Sequence, residues 1–167
     1  MRLRRTTKAV AGLGVALALM LTGIMGGCTK TCMEDTSSMG IVKFYNSATK
    51  ATCTWDSTTV YGIGAPGDSV LVNKKSASGV SLPMRINSDT VRYVFKFYSK
   101  ESLYDTLTIA YKSEPHFASE ECGAVYYYNI SEYKCTNHSI DSLKFTTMRF
   151  TNSDTEKIQL YLNTTRQ

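Results

Sequence analysis

Alternation is what most constrains this chain. From Gly40 onward apolar side chains recur at every second position, and no helical 3.6-residue period survives after residue 28. Thr90 to Tyr98 shows the pattern best: Val91, Tyr93, Phe95 and Phe97 fall on one face, Thr90, Arg92 and Lys96 on the other. A strand with one apolar face must bury it against a second layer. After a polar turn (Ser99-Lys-Glu-Ser102), Leu103 to Tyr111 places Leu107, Ile109 and Tyr111 together, so the two segments predict a hairpin.

Seven further strands are expected at Ile41–Asn46, Thr58–Ile63, Ser69–Asn73, Val80–Met84, Ala124–Ile130, Asp141–Phe150 and Lys157–Leu162. Between them lie Gly-, Pro- and Asx-rich turns such as residues 62–68, 87–89 and 151–154. Within Asp141–Phe150 the alternation slips, since Leu143 and Phe145 share one parity and Met148 and Phe150 the other; this predicts a β-bulge near Thr146-Thr147. Nine short, evenly spaced strands fit an all-β fold, a single antiparallel two-sheet β-sandwich of Ig-like type, with a closed barrel as the runner-up. About 140 residues suffice for one such core, and the expected domain spans 39–167.

The start of the chain is different. Arg2, Arg4, Arg5 and Lys8 precede an apolar stretch from Ala9 through Met25, interrupted by Gly12, Gly14, Thr22 and Gly23, and Gly26-Gly27 lead into Cys28. That layout suits an export signal over 1–27 better than a spanning helix. With a cysteine directly after the small residues it resembles a bacterial lipoprotein signal, with Met25 in place of the usual Leu three residues earlier. The resemblance makes Cys28 the lipid attachment site and 28–38 a short polar tether. By the same likeness, Thr29 rather than Asp in the next position directs the protein to the outer membrane. Glu34-Asp35 is only a weak form of the acidic run that marks surface export, which favours the periplasmic face slightly.

Once the four cations of the signal are set aside, the rest of the 19 basic residues nearly balance the 14 acidic ones, and they are interleaved. Nucleic acid is therefore not an expected partner. Of five cysteines, Cys32, Cys53, Cys122 and Cys135 remain after Cys28, and in an exported chain they predict two disulfides. Three connectivities are open. Cys32–Cys122 with Cys53–Cys135 is preferred, since the flanked strands, if parallel across the sandwich, let each link close one end. Links between distant residues also constrain the unfolded chain more, about 4 kcal/mol against roughly 3 for a local loop.

Chemistry-bearing residues are sparse. His116, Cys122, Cys135 and His138 could supply zinc ligands, but only Cys135 and His138 have a knuckle-like separation and oxidation competes for both thiols, so no metal or other cofactor is expected. No serine sits in a Gly-x-Ser-x-Gly elbow, Glu120-Glu121 cannot be assigned to a cleft, the glycines of 62–67 lack the Lys-Ser/Thr of a P-loop, and there is no calcium-loop run of acids. The expectation is a non-enzymatic protein. Aromatic residues are the one excess: eleven tyrosines, including Tyr126-Tyr127-Tyr128, and one tryptophan, Trp55, in an expected loop. In a strand Tyr126 and Tyr128 share a face, so Trp55, Tyr126 and Tyr128 are the candidate ligand-facing aromatics, although tyrosine is also an ordinary strand residue.

Taken together, the lipoprotein-like start, Leu82 to Phe95, Asp105-Thr-Leu-Thr-Ile109, Pro115-His-Phe-Ala-Ser-Glu-Glu-Cys-Gly123 and Ser139-Ile-Asp-Ser-Leu143 resemble an uncharacterised family of lipid-anchored lipoproteins from Bacteroidetes, a domain of unknown function. The resemblance implies an exported, anchored domain and carries over no catalytic residue. The leading expectation is a cell-envelope lipoprotein that binds or scaffolds another envelope component. The rival is a surface glycan-binding or adhesin-like module.

Overall fold

A computed structural model describes Cys32 and residues 37–64, 69–98 and 102–163. The expected signal, Cys28 and all of the expected tether except Cys32, Ser37 and Ser38 lie outside the described residues. The chain divides into two compact units, Met1–Cys32 and Met33–Gln167, and every strand belongs to the second.

That unit is all-β, with ten strands among the described residues: β1 (Met39–Asn46), β2 (Trp55–Gly62), β3 (Val70–Ala77), β4 (Gly79–Pro83), β5 (Thr90–Tyr98), β6 (Ser102–Ser119), β7 (Gly123–Cys135), β8 (Ile140–Phe145), β9 (Arg149–Phe150) and β10 (Ile158–Leu162). They form a four-stranded sheet in the order β4-β1-β10-β8 and a six-stranded sheet in the order β3-β2-β5-β6-β7-β9. The inward rows close on one core in a sandwich-like arrangement. Val42 and Phe44 of β1 and Ile158, Leu160 and Leu162 of β10 meet Val91, Tyr93, Phe95 and Phe97 of β5 and Leu107 and Ile109 of β6. Across the layers the Phe44 and Phe97 rings meet edge to face at 5.9 Å.

The observed strands depart from the expected ones where a local physical reason exists. Pairing is antiparallel throughout except that β1 and β10 run parallel, Val42 beside Ile158 through Asn46 beside Leu162, so the sandwich is not wholly antiparallel. The long hairpin of β6 and β7 extends from Leu107↔Cys135 to Ser119↔Gly123, well beyond the expected ends. The parity slip after Phe145 is not a bulge. Here the chain leaves one sheet for the other: β8 pairs with β10, whereas β9 pairs with β7. A residue facing inward from one layer and a residue facing inward from the other need not share parity, so a sheet crossing produces the same signature.

Cys32 and Cys122 are disulfide-bonded. The expected link between Cys53 and Cys135 is absent, and both are free thiols. Cys53 runs beside β1, its N–H donating to the Phe44 carbonyl at 2.9 Å. Cys135 closes β7 in the other sheet, its thiol donating to the Thr136 carbonyl at 3.2 Å. Each packs on the core from its own layer.

Candidate functional site

At one end of the sandwich the inward rows run out of bulk. Along β1 the inward parity reads Phe44, Val42, Gly40 and then, just before the strand, Ser38; along β7 it reads Ile130, Tyr128, Tyr126 and Ala124. The Phe150 ring fills the space left by Gly40, where a β-carbon would come within 2.9 Å of it. Beyond that point small residues leave a cleft of about 420 Å³ lined by Ser37, Ser38, Met39, Pro83, Met84, Ile86, Ala124, Val125, Tyr126 and Tyr128. This is within the usual size range of small ligand sites, near its lower end.

Tyr128 belongs to a group of three tyrosines that backs this lining. Tyr128 packs edge to face on Tyr111, centroids 5.3 Å apart. The Tyr111 hydroxyl donates to the Arg85 carbonyl at 2.8 Å and accepts the Arg85 N–H at 3.2 Å, while the Tyr93 hydroxyl donates to the Pro83 carbonyl. The segment after β4 is thereby pinned to β5 and β6, which positions Met84 as a wall. Burial raises the phenol pKa of Tyr93, Tyr111 and Tyr128 above the ordinary 10.0, so all three are neutral donors in physiological conditions. One polar group is left over: the Ser38 hydroxyl is buried and has no hydrogen-bond partner.

The expected aromatics divide. Trp55 is the first residue of β2, not part of a loop, and is only 3% exposed, its ring 5.4 Å from that of Phe97; it does not face a ligand. Tyr128 lines the cleft but is itself buried. Tyr126 is half-buried on the wall. Tyr127 points the other way, its ring stacked on His116 at 4.6 Å, with the Arg149 guanidinium 5.4 Å from its centroid. Among the described residues no group of three His, Cys, Asp or Glu is arranged to hold a metal, and Cys122, weighed as a ligand, is in a disulfide.

A second polar cluster lies about 27 Å along β6 from the cleft, eight residues before Ser113. Asp105 is fully buried. Its carboxylate accepts the N–H groups of His138 (2.7 Å), Ser139 (2.7 Å) and Ile140 (2.9 Å) and the Thr136 hydroxyl (2.9 Å), with His138 Nδ1 at 3.2 Å. An aspartate next to a histidine supplies two of the three members of a catalytic triad. The only thiol beside it is Cys135, whose pKa is pushed up to about 12 by burial and then by the Asp105 charge, which keeps it a poor nucleophile. The arrangement is a clamp that ties the β7–β8 connection to β6. Sequence reasoning missed it, though the signal exists: Asp105 has the parity of Leu107, Ile109 and Tyr111, and so is an acid on an inward row.

The raised thiol and phenol values have a consequence for stability. Each group ionises more readily in the unfolded chain than in the folded one, so above about pH 9 the unfolded state holds fewer protons and the fold loses stability as pH rises toward about 12. The urea midpoint is expected to be level from neutrality to about pH 8.5 and then to fall steadily. A midpoint unchanged at pH 10.5, to about 0.1 M, contradicts the burial of these groups.

Comparison with known proteins adds one finding. The profile of a family of unknown function (DUF6452) matches residues 57–162, more than half of the chain and all strands from β3 to β10. The chain belongs to this family. The DUF6452 match stops short of Ser37–Met39, so it covers the part of the lining that holds Tyr126 and Tyr128 but not the opposite wall. No curated protein and no solved structure matches.

Proposed function

We propose that this DUF6452 protein is a non-enzymatic lipoprotein of the cell envelope, anchored through Cys28 in the outer membrane on the periplasmic side, whose β-domain binds another envelope component in the cleft. The cleft carries the reading. Its lining joins apolar and aromatic side chains to the serines Ser37 and Ser38, and its only titratable side chains are the phenols of Tyr126 and Tyr128, a composition suited to holding a ligand rather than to acid–base chemistry. An Ig-like assignment of the sandwich belongs to the same proposal and is supported by short strands in two sheets over one core. The glycan-binding alternative drew on Trp55, Tyr126 and Tyr128; with Trp55 in the core and Tyr128 packed on Tyr111, Tyr126 alone remains for stacking.

A photo-crosslinking residue placed at Tyr126 in cells is expected to give a discrete envelope adduct, whereas the same residue at Tyr104, exposed and distant from the cleft, gives none. Equal labelling from both positions, or none from 126, overturns the binding role. Anchoring is tested separately. Cys28→Ala should leave the chain uncleaved or soluble, and its recovery in the membrane at the normal mature mass removes the lipoprotein reading.

A further inference from the structure

We infer that the occupant of the cleft is an extended peptide, which adds as a strand to the open edge of β7 over Gly123–Tyr127 and places alternate apolar side chains between Tyr126 and Met84. The inference deepens the binding role proposed above and rests on it.

The main-chain ladder of β7 is lopsided. On one side it is hydrogen-bonded to β6 along its whole length. On the other the short β9 supplies only Tyr128↔Phe150 and Asn129↔Arg149, extended by the Ile130 N–H to the Met148 carbonyl at 2.7 Å. Among the described residues no strand pairs with Gly123–Tyr127 on that side. In an antiparallel strand alternate residues turn both N–H and C=O outward, so this stretch offers a short row of unmet donors and acceptors, the usual template for an added strand.

The cleft reaches that edge. Its lining includes Ala124, Val125 and Tyr126 in succession, and Val125 points to the opposite side of the sheet from its two neighbours. A hollow that touches all three borders the rim of the strand as well as its inner face. The opposite wall is likewise a run of consecutive residues, Ser37, Ser38 and Met39, and β1 acquires its β10 partner only from Val42 onward. The site therefore presents backbone on two sides and apolar side chains between them.

Ser38 decides among ligand classes. A buried hydroxyl without a partner is costly, and the cost is relieved by an occupant that brings a donor or acceptor. An acyl chain would satisfy the apolar lining and leave both the hydroxyl and the β7 edge unmet. A glycan would bring hydroxyls against Met39, Met84 and Ile86. A peptide strand supplies amides for the ladder and the hydroxyl, and apolar side chains for the pocket.

The test uses the purified full-length protein in lipid nanodiscs and amide hydrogen exchange read by mass spectrometry. The probe is a pool of acetylated, amidated hexapeptides with Thr at odd positions and Val, Leu or Phe at even ones. Two companion pools carry N-methyl groups on alternate backbone amides, one in each phase, and sodium decanoate serves as the acyl probe. The first pool is expected to slow exchange over 123–127 at least tenfold, and one methylated phase is expected to abolish the effect. Ser38→Ala should leave the melting temperature of the free protein unchanged or raised, because it removes an unmet hydroxyl, yet weaken peptide binding several-fold. No slowing with the unmethylated pool, equal slowing with both methylated pools, or equal slowing with decanoate overturns the inference. An envelope adduct at position 126 together with any of those results leaves the binding role standing without the peptide; slowed exchange without an adduct leaves the peptide site without its envelope partner.

Discussion

Asp105→Ala is expected to remove about 4 kcal/mol of folding stability, a large share of what a domain of this size has. The substitution strips the acceptor from the N–H groups of His138, Ser139 and Ile140 and from the Thr136 hydroxyl in one step. A buried donor left without a partner costs about 1–3 kcal/mol, but His138 is exposed enough for its amide to turn to water, which keeps the total below the simple sum. Asp105→Asn preserves volume and replaces one accepting oxygen with a donor that meets other donors, for an expected loss of about 2–3 kcal/mol. Equilibrium urea unfolding followed by Trp55 fluorescence measures both, since that indole is buried against Phe97. A loss under about 1 kcal/mol for the alanine variant contradicts the clamp.

Gly79→Ala is expected to cost about 2–4 kcal/mol for a steric reason. A β-carbon at Gly79 would lie 2.3 Å from the Val42 carbonyl oxygen and 3.3 Å from the Lys43 α-carbon. Both are backbone atoms of the neighbouring strand and cannot swing aside. Relief requires β4 to part from β1 at Lys43↔Gly79, next to the Phe44 N–H bond to the Ser78 carbonyl. Gly64→Ala is the control: φ is +75° and nothing lies within 4 Å of the added carbon, so only the left-handed backbone penalty of about 1 kcal/mol applies. Urea midpoints with hydrogen exchange over β4 separate the two cases. Similar losses for both glycines contradict the close approach of β4 and β1.

Much of the fold is legible because alternation is a direct readout of a half-buried strand. Val91, Tyr93, Phe95 and Phe97 are all core residues, as their parity requires. What alternation does not carry is which sheet a strand joins. The slip after Phe145 has two physical origins with one sequence signature, and only the pairing partners distinguish a bulge from a crossing. Nor does it carry strand direction, so the parallel β1–β10 pair is invisible to it. Trp55 reads as a loop residue because its neighbours Thr54, Asp56 and Ser57 are polar, and Ser57 has a φ of +53° where the β2–β3 register shifts. The cleft is harder still. Tyr126 and Tyr128 follow from parity, but Ser38 reads as tether, and its role depends on β1 continuing inward beyond its last hydrogen-bonded residue. Lys157 shows the same limit: it is 1% exposed although charged, because its ammonium donates to the carbonyls of Thr151 and Ser153 at 2.8 and 2.7 Å.

The parallel pairing of β1 with β10 carries a consequence for how the molecule comes into being. A chain that emerges N-terminus first holds β1 ready while its central neighbour has not yet been made, since Val42 must wait for Ile158. Until then β4 can join β1, but β8 has no β10 to pair with, and the apolar row of the larger sheet is covered by β1 and β4 alone. Most of the domain must therefore be kept from premature association until nearly the last strand appears, and completion is a single late event rather than a gradual accretion. A chain cut short before Ile158 would keep a hairpin-rich sheet covered only by β1 and β4, open to aggregation and to proteases.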